Sequence, residues 1–477
     1  MRFEHPFLAE DDRFRIHRES LRILAEVGVR FLGQRALPIL ERHGARVDRE
    51  TGIARIPGEL VDVALRTAPS SFVLGARNPA FDHPLPSGVT SYAIDGTASF
   101  MTDFETGERR YGVKRDIEDA LRVFQQVDLG VMAWAPTCAS DAPSQTRPLH
   151  EFVAMAAACS KHGQHEIYRV DQVPYLEAAL VAIMGTEADV RARHAYSLIY
   201  CPVAPLTHDG EMLDAYLDLG RLDLPVMIMP MPVAGSTGPA SLFANIAVAN
   251  AEALSSIVVF QLAHPGRPLI YSSATGTVDF RTGGYLGGTP EMGIMSAALT
   301  TMGRSYGLPS SSAGCTSDAR EPGAQAVFEK LVTTLPPVAA GADIVIGFGE
   351  IEGDQNLVLE QILVDAEIAR ACGRLADGVD VAPDRELFDD IVEVGPGGNF
   401  LAQRSTRSAA RSSEFLVPSL SPRAAHEAWM ELGRPSIYSN ARERVSAILA
   451  GPFADPLPDA TAGELERILA AADRELA

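Results

Sequence analysis

From Leu129 onward the chain keeps a regular beat: short, uniformly apolar runs alternate with longer stretches of helical periodicity. The runs are Val131–Ala135, His165–Arg169, Tyr196–Cys201, Val226–Met229, Leu269–Ser273, Pro309–Ala313, Ile344–Gly347 and Ile391–Val394. Between them fall helical patterns at Leu149–Cys159, Val173–Met184, Glu211–Leu222, Ala240–Leu262, Glu291–Tyr306, Gln325–Ala340 and Leu357–Cys372. Strands that are apolar throughout, rather than alternating, are covered on both faces, and helices supply that cover. Eight such units closing on themselves predict an α/β fold of the (β/α)8, or TIM-barrel, type. A doubly wound open sheet is the competing architecture, but no GxGxxG or P-loop pattern follows any of the runs.

The flanks read differently. Residues 1–128 predict an N-terminal extension: two helical segments over Arg13–His43, broken near Gly28 and Gly33, then short strands at Ala54–Ile56, Phe72–Leu74 and Ser91–Phe100. Residues 129–405 form the predicted barrel. Residues 406–477 predict a helical C-terminal extension through Arg423–Leu432 and Glu464–Leu476, a kind of segment often used in homo-oligomer contacts. The formal net charge of −21 disfavours nucleic acid and anionic membranes as partners, and a cationic substrate gains modest steering from it. Five scattered cysteines without a CxxC pair argue against disulfides and structural zinc. Neither a signal-peptide core nor a long uninterrupted apolar stretch is evident, so the expected compartment is the cytoplasm.

In a barrel, chemistry is carried by residues at the C-terminal ends of strands and in the loops that follow. That rule selects Trp134, Glu166, Tyr168, Tyr271, Cys315, Asp318, Glu350 and Asn399 among others. The loop MPMPVAGSTGPA, Met229–Ala240, offers Ser236 and Thr237 as helix caps ahead of Gly238-Pro239. It reads either as a plain helix start or as a set of free N–H groups that holds an anion. A second glycine-rich loop, Thr275–Pro290, suits a lid or rim, and a third, Ser310–Gln325, places Cys315 and Asp318 at a strand end. Cys315 has no histidine near it in sequence and reads as a buried small hydrophobe as readily as a binding residue. Glu166 and Glu350 are the candidate catalytic carboxylates. HExxH, HxH and Cys/His clusters are missing, which leaves no expected metal ligand.

The stretches PMPVAGSTGPASLFANIAVANAEALSSIVVFQLAHPGRPLIYSS, GGTPEMGIMSAALTTMGRSYGLPSSSAGCTSDAREPGAQAVFEK and GADIVIGFGEIEGDQNLVLEQILVDAEI resemble the trimethylamine methyltransferase family. The likeness runs in family order over nearly the whole chain. It implies a (β/α)8 barrel that passes a methyl group from a methylated amine to cob(I)alamin on a separate corrinoid-binding protein, with no metal bound directly. Archaeal members carry pyrrolysine near the stretch matching Cys315–Gln325. None is present here, so the chain resembles the branch without pyrrolysine, whose members include glycine betaine methyltransferases. Such a reaction implies a seat for a cation, for which Trp134, Tyr168 and Tyr271 are the aromatic candidates. It also implies a seat for a carboxylate near Ser236 and Thr237. Gly235, Gly276 and Asn399 are the candidates for meeting the corrinoid. The chain departs from the family at two histidine positions, occupied here by Ile346 and Ser405. Those departures leave open which amine is the donor and whether the corrinoid step is retained. A non-catalytic betaine-binding member and a barrel using acid/base chemistry on another small amine remain the alternatives.

Overall fold

In the computed structural model, residues 7–453 and 455–476 are described. Eight parallel strands form one sheet: β1 (Ser91–Ile94), β2 (Gly130–Ala133), β3 (His162–His165), β4 (Tyr196–Tyr200), β5 (Val226–Ile228), β6 (Leu269–Tyr271), β7 (Ser311–Ala313) and β8 (Ile344–Phe348). The spatial order is β6-β5-β4-β3-β2-β1-β8-β7. A parallel bridge between Tyr271 and Ser310, with Tyr271 N–H donating to Pro309 O at 2.9 Å, closes β6 onto β7. Each strand is followed by a helix: α1 (Lys114–Gln125), α2 (Arg147–Ala158), α3 (Val173–Met184), α4 (Gly210–Leu219), α5 (Leu242–Ala263), α6 (Pro290–Ser305), α7 (Ala324–Ala339) and α8 (Leu359–Asp377). The expected barrel is therefore present, with two of its strands reassigned and a third shifted: β3 ends at His165, so the expected run His165–Arg169 lies almost wholly in the loop after it.

The first barrel strand is Ser91–Ile94, which the sequence reading placed among the short strands of the extension. It pairs with β2 on one side and β8 on the other. The expected strand Ile391–Val394 lies instead in the helix Phe388–Val394. Its Ile391 and Val392 are more than half exposed, so the run has no second element to cover it as a barrel strand requires.

Side-chain alternation along each strand decides what the barrel mouth contains. On β4, Tyr196 packs edge-on to Phe152 of α2 and Tyr200 tilts against Tyr216 of α4. Ser197 between them faces the lumen, bonded to His162 and Gln164 of β3. α5 is long and apolar enough to span a membrane by length and composition alone. Here it is a core helix, with Asn245 through Gln261 buried. The N-terminal helix Glu10–Arg22 lies across it, tied by Ser20 Oγ to Ala247 O and by Asn250 to Ser20.

Near the C-terminus, helix Ile437–Ala450 packs on α8 and α1, and helix Asp459–Leu476 packs on α3 and α2. A cavity of about 1350 Å³ opens at the N-terminal end of the barrel, beside Thr90, Leu129, Leu308 and Asp343 and under Phe415–Val417. Thr90, Leu129 and Asp343 immediately precede β1, β2 and β8, and Leu308 lies three residues before β7, so this space lies at the end opposite to the one barrels use for catalysis.

Candidate active site

Glu166 is the residue after β3. Gly163 approaches the side chain of Met155 on α2, and His165 reaches Glu151 on the same helix, so alternation turns Glu166 into the barrel mouth. Its carboxylate accepts hydrogen bonds from Trp134 Nε1 at 2.8 Å and Tyr168 Oη at 2.8 Å. His165 Nδ1 lies 3.3 Å from it, an ion pair without the direction of a hydrogen bond. On the other side His165 Nε2 meets Glu151 at 3.0 Å, and Glu151 also accepts the Ala139 N–H in the loop after β2.

The electrostatics follow from this sandwich. Burial alone favours a neutral imidazole, but Glu166 and Glu151 outweigh it and push the His165 pKa up to about 10. Burial likewise raises Glu166, yet the charged His165 and the Tyr168 and Trp134 donors bring it below its ordinary value. Glu166 is thus a fixed anion, and its bonds set the planes of an indole and a phenol at the mouth. Trp134 is buried, whereas Tyr168 is 47% exposed at the rim. Gly96 permits the close approach of the loop after β1, since a Cβ there would lie 2.8 Å from the Trp134 ring.

A second group of carboxylates lies on the β1–β8 side. Asp95 follows β1, Glu350 follows β8, and Asp354 sits in the turn joining Glu350–Ile351 to Asn356–Leu357. One oxygen from each lies within 4.8 Å of the others. Glu350 is fully buried and neither of its oxygens has a hydrogen-bond partner among the described residues. Burial and then the neighbouring Asp95 and Asp354 push the Glu350 pKa well up. Burial raises Asp95 to about 6, against the pull of the Gly96 N–H. The turn holds Glu352, Gly353 and Asp354 successively at φ of 62°, 63° and 65°. Such a backbone is costly for the two non-glycine residues. It is secured by Glu352 N–H to Ala319 O and Gly353 N–H to Ser317 O.

Beneath this turn, Lys330 of α7 and Asp365 of α8 form a fully buried pair at 2.9 Å. Lys330 Nζ also donates to Cys315 O and Gly347 O, and Asp365 accepts the Gly349 N–H. The pair clamps the loops after β7 and β8 to their helices. Cys315 itself is fully buried, and burial pushes its thiol well up, so it is held inside the clamp rather than offered at the mouth. Asp318 accepts the N–H groups of Gly287 and Gly288, which fastens the loop after β6 to the loop after β7.

The structure gathers some of the expected residues and disperses others. Trp134, Glu166 and Tyr168 form one bonded unit. Glu350 belongs to the other group, so Glu166 and Glu350 do not make a carboxylate pair. Tyr271 is turned outward: its hydroxyl donates to Asn250 on α5 and its ring packs on Gly303 of α6. Ser236 and Thr237 do not start the helix, which begins at Leu242 with Ser241 at its N-cap. Instead Thr237 Oγ1 accepts the Val233 N–H in a tight turn where Gly235 has a φ of 93°. Gly276 is buried against the Tyr285 ring. Asn399 caps a short turn by accepting the Leu401 N–H and lies in the exposed segment after α8, not after a barrel strand. Asp95, Asp354, His165 and Glu151 were missed. Asp95 would have been found had Ser91–Ile94 been read as a barrel strand.

A family model described as trimethylamine methyltransferase (MTTB) matches residues 4–477. The chain belongs to the trimethylamine methyltransferase family. Among its relatives, the trimethylamine methyltransferase MttB2 of Methanosarcina mazei is 31% identical over 97% of this chain and 94% of its own length. The glycine betaine methyltransferase of Desulfitobacterium hafniense is 29% identical, over 96% of this chain and 95% of its own. Family members of both kinds thus align end to end with this barrel. The crystal structure of the Methanosarcina barkeri monomethylamine methyltransferase MtmB matches with a TM-score of 0.50 at 12% identity, covering 94% of this chain and 90% of that one. At that identity the likeness concerns the fold, and it agrees with the eight-stranded parallel sheet.

Proposed function

We propose that this family member takes a methyl group from a betaine-like quaternary or tertiary amine and delivers it to cob(I)alamin on a separate corrinoid-binding protein. The observation that carries the reading is the Glu166–Trp134–Tyr168 unit at the barrel mouth. A methylated ammonium carries a charge hidden under methyl groups, so it takes few hydrogen bonds and is held by aromatic faces and a nearby anion. Glu166 supplies an anion that stays ionised, and its bonds hold the indole and phenol in place before substrate arrives. Trp134, Tyr168 and Glu166 would hold the ammonium donor, and cob(I)alamin on its partner would supply the nucleophilic electron pair for the methyl carbon, the C–N pair staying with nitrogen as a neutral amine. The residues present need only orient the donor, exclude water and leave the methyl group facing outward.

The rim supports a large flat visitor. Tyr168, Val203, Met231, Phe280 and Tyr285, on the loops after β3, β4, β5 and β6, are all exposed apolar side chains. Exposed apolar side chains on neighbouring loops are common at interaction sites, and they would suit a macrocycle presented by another protein.

Calorimetry with glycine betaine, trimethylamine and tetramethylammonium tests the binding half of the proposal. At least one ligand is expected to bind, and Trp134→Leu is expected to weaken it by about 1–2 kcal/mol, roughly 5- to 30-fold. Binding that is indifferent to Trp134→Leu would refute the assignment of this unit as the amine seat.

A further inference from the structure

We infer that Asp95, Glu350 and Asp354 form a binding site for one hard divalent cation, of the magnesium, manganese or calcium class. Three carboxylates converge, with one oxygen from each within 4.8 Å of the others. An acidic cluster alone would mean little, since exposed ones are common. This one is distinguished by Glu350, which is fully buried, aimed into the cluster, and left with both oxygens unpartnered among the described residues. Buried carboxylates are ordinarily bonded or paired. Asp354 Oδ1 is a further buried oxygen without a partner, whereas Asp95 Oδ1 accepts the Gly96 N–H at 3.0 Å.

The protein offers little compensating charge. The nearest cation is Lys330, and its ammonium is already bonded to Asp365 and two carbonyl oxygens. Tyr285 and Asp318, which also face the group, add no positive charge.

Size decides what kind of cation fits. An octahedral ion with metal–oxygen distances of about 2.1–2.4 Å holds its ligand oxygens about 3.0–4.8 Å apart. The three carboxylate oxygens, all within 4.8 Å of one another, do not exceed that span. A methylated ammonium would have to sit above the plane of the three oxygens, whereas a bare metal ion can sit among them and take all three as ligands. The all-oxygen donor set selects hard cations over zinc or copper. Placement supports a functional role, since the ligands come from the catalytic ends of β1 and β8 and from the clamped turn between Glu350 and Asn356.

The site is tested on the full-length protein after chelator treatment, by titration with Mn²⁺ followed by electron paramagnetic resonance of the free ion. One Mn²⁺ per chain is expected, with a melting temperature that rises as the ion is added. Glu350→Gln and Asp354→Asn are each expected to weaken binding by about 10- to 100-fold or more. The metal-free melting temperature of Glu350→Gln should stay level or rise, because a buried unpartnered carboxylate has been removed. Wild-type protein that binds no Mn²⁺, Mg²⁺ or Ca²⁺ would overturn the assignment, as would variants that bind as well as wild type. Should either variant fail to fold, anomalous scattering from Mn²⁺-soaked wild-type crystals decides: a peak among the three carboxylates supports the site, and no peak there refutes it. None of these readouts involves methyl transfer, so the two proposals stand or fall separately.

Discussion

At the scale of single residues, His165 is the group whose charge does most for the mouth. Its folded pKa, about 10, lies above the ordinary value of 6.5. A raised histidine pKa contributes stability that is fully present below pH 6.5 and is lost as pH rises through about 10. The melting temperature is therefore expected to fall between about pH 6.5 and 10. In Glu151→Gln, which removes one of the two flanking carboxylates, the fall is expected to be smaller and complete at lower pH. Imidazole NMR titration of the same pair provides the direct check, and an unchanged His165 midpoint in the variant would contradict the sandwich. Trp134, Glu166 and Tyr168, all selected from the sequence, come together at the mouth because each follows closely on a strand end. His165 and Glu151 were hidden because one faces away from the lumen and the other sits on a helix. Sequence order does not show that such groups meet.

Among the elements, six of the eight strands were readable in place, most of them as short apolar runs, since apolarity on both faces means cover on both faces. β3 was set three residues too late, because its His-Gly-Gln-His sequence carries no apolar signal. β1 was read as a strand of the extension because it lies among other short strands and precedes the repeating pattern. The run Ile391–Val394 misled for the opposite reason. Its β-branched residues suit a strand, but Asp389, Asp390 and Glu393 surround them and the segment remains exposed as a helix. Alternation within β6 explains why Tyr271 faces the helices: a residue at a strand end faces the mouth or the helices according to parity. Tyr271→Phe is thus expected to cost about 1 kcal/mol of stability through its lost bond to Asn250. Amine affinity in calorimetry should not change. The clamp between α7 and α8 predicts a larger effect. Lys330→Met strands Asp365 as an uncompensated buried charge and should destabilise by about 3–5 kcal/mol in denaturant unfolding. A loss below 1 kcal/mol would show that the clamp is dispensable.

On the scale of the whole molecule, the acid trio illustrates a limit of reading motifs. Its ligands come from residues 95, 350 and 354, and only closure of the barrel, which sets β8 beside β1, unites them. The segment from 378 to 434 raises a different expectation. Val381, Leu401 and Val417 are each at least three-quarters exposed, and this apolar surface supports self-association. Sedimentation is expected to show a homo-oligomer that Leu401→Glu together with Val417→Glu weakens; a monomer at micromolar concentration would contradict it.

The central claim is that this barrel mouth serves methyl transfer to a corrinoid. Under strict anaerobiosis, the protein is mixed with cob(I)alamin and a panel of quaternary and tertiary methylated amines, and the Co(I) absorbance is followed. At least one amine is expected to bleach that absorbance, yielding one methylcobalamin for each demethylated amine. The rate should fall in Trp134→Leu. Persistence of Co(I) with every amine, including in the presence of a corrinoid-binding protein, would contradict the account.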